Sequence, residues 1–135
     1  NLLGFLQTQD GLQTKLLEKA GNLSGGQCQR LAIARALLRD SAVYIFDEAA
    51  SNIDVESEEL IMDVIHQLAR TKTVLLISHR LANVVNSDQI YFLKEGEIKE
   101  SGKHEELMQL NGEYRHLYES QMALENYGKE ETVDV

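Results

Sequence analysis

Three short stretches of this sequence carry side chains suited to handling phosphate, water and metal ions. Asp47-Glu48 follows directly on the apolar run Ala42-Val43-Tyr44-Ile45-Phe46. Two carboxylates just past the C-terminal end of a buried strand stand where open α/β sheets bind ligands. Asp47 offers hard oxygens to Mg²⁺, directly or through water. Glu48 is placed to polarise an attacking water as general base. The same pair also suits a polar stop to a buried strand, followed by a helix-capping acid. Leu23-Ser24-Gly25-Gly26-Gln27 is the second stretch. Its glycines let backbone approach a ligand closely, and the helix starting near Gln27 aims free N–H groups and a positive dipole end at that spot. Ser24 adds a hydroxyl for phosphate oxygens, although an ordinary serine cap after a glycine turn reads the same way. The third is Ile77-Ser78-His79-Arg80. A histidine after a buried strand can reach a phosphate or hold water, in either charge state near neutrality. A plain strand-end residue is the alternative.

These side chains need elements to hold them. An Ala- and Leu-rich run from Gln27 to Arg39 predicts a helix that opens at Ser24. The runs 42–46, 73–77 and 89–93 have the length and β-favouring composition of strands, and suit a parallel sheet covered on both faces. Ile61, Val64, Ile65 and Leu68 give the segment from about Val55 to Ala69 one apolar helical face, with Asp54 as its N-cap. Strand, helix and strand in sequence form a βαβ unit with a right-handed crossover. Lys94-Glu95-Gly96-Glu97 reads as a turn into a short strand, Ile98 to Glu100. Helical spacing then returns at Leu107, Leu110, Tyr114, Leu117 and Tyr118, broken at Asn111-Gly112. Residues 1–22 read as a short amphipathic segment divided by turn formers.

The chain has 135 residues, 43% of them hydrophobic, and a net charge of −9. That apolar fraction supports a packed core and excludes full-length disorder. The acidic balance argues against nucleic acid as a partner, since phosphate contacts need clustered Lys and Arg. Cys28, the single cysteine, excludes an internal disulfide and any all-cysteine metal cluster. It reads as a small packed thiol. No apolar run approaches the roughly 20 residues that cross a bilayer. The expected class is a water-soluble globule of a reducing compartment. His66, His104 and His116 lack metal-ligand spacing and read as helix-surface residues, and Arg30, Arg35 and Arg39 as solvated or acid-facing.

Taken in order, these motifs resemble the nucleotide-binding domain of ATP-binding cassette (ABC) transporters. Leu23-Ser24-Gly25-Gly26-Gln27 is similar to the family signature, and Val43 to Glu48 to its Walker B strand with catalytic glutamate. Ala49-Ala50-Ser51-Asn52-Ile53-Asp54 resembles the D-loop, and His79 the switch histidine of the H-loop. The string from Lys94 to Leu107 resembles the end of exporter-type domains. Ala50 departs from the usual Thr or Ser and Cys28 from a long polar residue, and neither change removes a ligand. The resemblance implies catalytic roles for Glu48 and His79 and Mg²⁺ at Asp47. It also implies nucleotide contacts from Ser24, Gly25, Gly26, Gln27 and Asp54, with ATP and Mg²⁺ as cofactors. Partners would be a second nucleotide-binding domain, docked head to tail, and a transmembrane domain, at the cytoplasmic face of the cell membrane.

No Gly-x-x-x-x-Gly-Lys-Ser/Thr occurs in the chain. The resemblance is therefore to the C-terminal part of such a domain, and the opening at Asn1 rather than Met fits a fragment. The expected fold is α/β, a partial P-loop (RecA-like) parallel sheet with helices, lacking the P-loop strand. Residues 1–39 would end the helical subdomain, 40–126 would belong to the RecA-like core, and 127–135 would form a disordered tail. The motifs leave two rival readings. DNA-repair and chromosome ATPases share the signature and Walker B, but would need long heptad coiled coils. A folded but inert interaction module is the other. By itself the chain is expected not to turn over ATP.

Overall fold

The computed structural model describes residues 2–51 and 53–130, with side chains as far as Tyr127. It divides into two compact units, one ending at Ile77 and the other beginning at Ser78. In chain order the regular elements are α1 (Leu2–Gln7), α2 (Gly25–Leu37), β1 (Val43–Asp47), α3 (Val55–Ala69) and β2 (Thr73–Ile77). They continue with β3 (Ile90–Lys94), β4 (Glu97–Gly102), α4 (His104–Leu110) and α5 (Glu113–Glu130). Short 3₁₀ turns at Gly11–Gln13, Glu18–Ala20 and Leu81–Asn83 link them.

In the first unit β1 and β2 pair in parallel, from Val43 opposite Thr73 to Asp47 opposite Ile77. The intervening α3 makes this the expected βαβ unit. Its N-cap is Asp54, whose Oδ2 accepts the Ser57 amide at 2.8 Å. The core gathers Ile33 of α2, Tyr44 and Phe46 of β1, Ala50, and Ile61, Met62 and Ile65 of α3. Burying each of the larger side chains contributes about 1.5–3 kcal/mol. Ile33 brings α2 into contact with this core. The signature helix is packed into the same core as the strand that follows it.

Two expectations about burial are corrected here. Val64 is 37% exposed, because the buried stripe of α3 runs through Ile61, Met62 and Ile65 instead. The sheet is also not covered on both faces. Tyr44 and Phe46 point inward, while Val43, Ile45, Leu75 and Ile77 remain exposed on the other side. Apolar runs of this kind suit two-sided burial, but only when a second layer is present.

The second unit opens with the 3₁₀ turn at Leu81 and builds on an antiparallel hairpin, β3 and β4, with a bulge between Phe92 and Leu93. Glu95 and Gly96 at its tip both have left-handed φ, 54° and 77°. That is the conformation whose twist matches a two-residue hairpin. β3 does not join β2, so the described strands form two separate two-stranded sheets. Asn111, with φ 53°, ends α4. The Glu100 carboxylate of β4 then accepts the amides of Glu113 (2.5 Å) and Tyr114 (3.3 Å) and so caps α5. Leu107 and Tyr114 are fully buried. Tyr114 packs edge-on to Phe92 and bonds Nδ1 of His104 at 2.9 Å. Burial, with Tyr118 and Glu105 adding to it, raises the Tyr114 phenol above its usual range. His104 is thus part of a packed aromatic cluster rather than a bland surface residue. α5 runs to Glu130, so helix continues into the segment expected as a tail, and 131–135 lie outside the described residues. Among the described residues, no helix is long and apolar enough to cross a membrane.

Candidate nucleotide site

The glycine-bearing stretch forms the N-terminus of α2. Ser24 is the N-cap. Its Oγ accepts the Gln27 amide at 3.2 Å, and its own N–H donates to Oε1 of Gln27 at 2.9 Å. This reciprocal pair is a capping box. It employs Gln27 in holding the helix start, and it leaves the Ser24 hydroxyl proton to donate elsewhere. The first amides of α2 have no acceptor within the helix, so they and the dipole present a positive end to solvent.

The two glycines differ. Gly25 is exposed, and a Cβ there would meet only Ile53 Cγ2, at 3.8 Å. Gly26 is buried beneath α3, and a Cβ there would lie 2.8 Å from the Cβ of Ser57, with Ser57 Oγ closer still. One glycine is open to solvent, and the other lets two helices touch. Arg30 of α2 fastens the same junction, donating from Nη1 to Ser57 Oγ at 2.8 Å. Arg30 is therefore a bridge between helices, and of its two expected readings, solvated or acid-facing, the second fits, since its charge also acts on Asp54.

β1 delivers Asp47 and Glu48, both exposed, to the end of the parallel pair. Glu48 stands in the left-handed region, φ 48°. Its N–H donates to the Ile77 carbonyl at 2.9 Å, and its carbonyl accepts the Ser51 amide at 3.0 Å. Non-glycine residues enter this region seldom, and Asp40, Glu95 and Asn111 share it with Glu48 among the described residues. Asp54 completes the loop. The Ser57 amide, then the Ser57 hydroxyl, with Arg30 adding to them, hold its carboxyl below the usual aspartate range. The first unit thus joins the starts of α2 and α3 through Gly26, Arg30 and Ser57, and carries Asp47 at the end of β1 with Glu48 just beyond it.

Among the described residues no group of three His, Cys, Asp or Glu is placed to hold a metal by itself. Asp47 still fits Mg²⁺, which takes one or two protein carboxylates and completes its shell with water and phosphate oxygens.

His79 belongs to the second unit and is exposed. The turn around it is tied by side chains that the sequence does not single out. Ser78 Oγ bonds both the amide and the carbonyl of Arg80, each at 3.1 Å. Gln121 of α5 donates to the His79 carbonyl at 2.7 Å.

Known proteins resemble this chain in sequence and in fold. A family model described as ABC transporter matches residues 1–51. An uncharacterized ABC transporter ATP-binding protein of Haemophilus influenzae is 53% identical over 125 residues, which is 93% of this chain and 22% of the relative. An ATP-dependent lipid A-core flippase of Mannheimia succiniciproducens is 51% identical, over 84% of this chain and 19% of its own length. The chain thus spans about a fifth of these curated relatives. A bacterial Atm1-family ABC exporter, solved with ATP bound, superposes with a TM-score of 0.78 at 34% identity, over 87% of this chain and 21% of that one. On its signature, its strand ending in paired carboxylates and these relatives, the chain belongs to the ABC transporter ATP-binding family.

Proposed function

We propose that this chain works within an ATP-hydrolysing nucleotide-binding domain that powers export of a substrate across a membrane. The observation that carries the reading is Glu48, held at φ 48° beside Asp47 at the end of a parallel strand. Glu48 Oε is the group to accept a proton from the attacking water, and His79 to contact the terminal phosphate. Asp47 would hold Mg²⁺, which when bound neutralises charge on the phosphate oxygens. Ser24 and Gly25, at the exposed start of α2, would meet a nucleotide held by a second such domain docked head to tail. In that complex Gln27 and Asp54 serve by shaping the helix starts that face it. A transmembrane domain, met at the cytoplasmic face of the cell membrane, would convert closure and opening into transport. No nucleic acid takes part.

Catalysis of phosphoryl transfer is mostly positioning and electrostatics. A chain without a phosphate-cradling loop and its lysine has no means to position the γ-phosphate. The 135-residue chain alone is therefore expected to release no phosphate from ATP above background. In the full-length transporter, Glu48→Gln should slow phosphate release by roughly 10²- to 10⁴-fold while ATP stays bound, since an amide cannot take the proton. Ser24→Arg should block closure instead, leaving ATP binding to the first domain intact. Parental turnover in Glu48→Gln would sink the assignment.

A further inference from the structure

Helix α5 reaches back to the loop that carries His79 through three contacts within the second unit. The Gln121 side chain spans Arg80. Its Nε2 donates to the His79 carbonyl at 2.7 Å, and its Oε1 accepts the Leu81 amide at 2.9 Å. One turn further along, Glu125 takes the Arg80 guanidinium at 2.9 Å. Leu81 below is buried, and its amide is the first of the 3₁₀ turn Leu81–Asn83. A primary amide can satisfy a carbonyl and an N–H at once only when the two are held a fixed distance apart. Gln121 therefore sets both the peptide plane after His79 and the start of the turn that follows. With the Ser78 hydroxyl bonded to both backbone groups of Arg80, residues 78–81 keep little backbone freedom.

We propose that Gln121 is a positioning residue for His79. It acts through the backbone rather than by touching nucleotide, and it makes α5 the element that decides where the histidine side chain starts from. This rests on the reading that His79 serves ATP turnover. A 1 Å misplacement of a catalytic group is enough to cost a large factor in rate, so a clamp on its backbone belongs to the rate and not to substrate affinity.

The test uses the full-length transporter and four variants: His79→Ala, Gln121→Met, Gln121→Glu, and His79→Ala with Gln121→Met. Methionine keeps the length and helix propensity of glutamine and removes both hydrogen bonds. Gln121→Met should lower kcat about five- to thirtyfold, the factor to which one or two ordinary hydrogen bonds convert, with KM for ATP within about twofold of the parent. Gln121→Glu keeps the acceptor for Leu81 but sets a carboxylate against the His79 carbonyl, and should lower kcat too. The deciding measurement is the double variant. If Gln121 acts only through His79, it should be no slower than His79→Ala alone. Thermal midpoints taken in parallel should stay near the parent value. Full kcat in Gln121→Met beside a slow His79→Ala would overturn the clamp and leave the site reading standing. Losses that multiply in the double variant would also overturn it, by assigning Gln121 a structural role. Parental rates in His79→Ala would bring down the site reading and the clamp together.

Discussion

Gly26→Ala should destabilise the chain through a contact remote in sequence. The new methyl would sit 2.8 Å from the Cβ of Ser57, with the hydroxyl oxygen nearer still, so the starts of α2 and α3 must part. Overpacking of this kind costs about 1–3 kcal/mol. Moving Ser57 also loosens its 2.8 Å bond from Arg30, worth about 1 kcal/mol, and disturbs the Asp54 cap. Against this stands the better helix propensity of alanine, up to about 1 kcal/mol in a helix interior and less in a first turn. The net loss should be about 2 kcal/mol, a factor of roughly 30 in the folded-to-unfolded ratio. Denaturant unfolding followed by circular dichroism would measure it, in the wild-type and in a Ser57→Gly background. Removing the Ser57 side chain opens the space, so Gly26→Ala should then cost close to nothing. An equal cost in both backgrounds, or no cost in the wild type, would refute the packing argument.

Three further outcomes follow from the same geometry. Gly25→Ala, facing only Ile53 at 3.8 Å, should unfold at or slightly above the parent denaturant midpoint yet impair ATP turnover in the full-length transporter; a stability loss matching Gly26→Ala would contradict it. Asp54 has a folded pKa below its unfolded value of about 4, so its stabilisation is complete above that pH and fades as pH falls through the lowered value. Wild type should therefore be more stable than Asp54→Ala at pH 7, with the gap narrowing below about pH 4; a gap that widened in acid would show the sign to be wrong. The exposed face of Val43, Ile45, Leu75 and Ile77 should drive the isolated chain to associate, and Ile45→Lys should reduce this. Light scattering would show it, and a monodisperse wild-type species at the 15.2 kDa monomer mass would rule it out.

Much of this was legible in sequence, for local reasons. α3 spans Val55–Ala69 as its period and its Asp54 cap require, and β2 spans Thr73–Ile77. The Asn111-Gly112 break was readable because asparagine tolerates the left-handed φ that ends α4. What escaped depends on pairs far apart in the chain. Nothing near Gly26 announces Ser57, nothing near His79 announces Gln121, and His104 declares itself only against Tyr114. The motif strings located the carboxylates but not the left-handed backbone at Glu48. The exposure of Val43, Ile45, Leu75 and Ile77 is not legible either, because composition reports a capacity to be covered, not the presence of a cover.

The cap that Glu100 places on α5 bears on the order in which the second unit assembles. The amides it receives belong to Glu113 and Tyr114, so the first turn of the longest helix is completed by a strand rather than by its own leading residue. Helix nucleation is the costly step. Here it is eased once Glu100 of β4 reaches the amides of residues 113 and 114. Loops this short close in tens of nanoseconds and hairpins form in microseconds. Pairing of β3 with β4 would thus come first, and α5 would propagate from residue 113 toward its C-terminal end. Gln121 and Glu125, which brace the His79 turn, would accordingly set only after the first turns of the helix, their order of arrival fixed by a glutamate of the preceding hairpin.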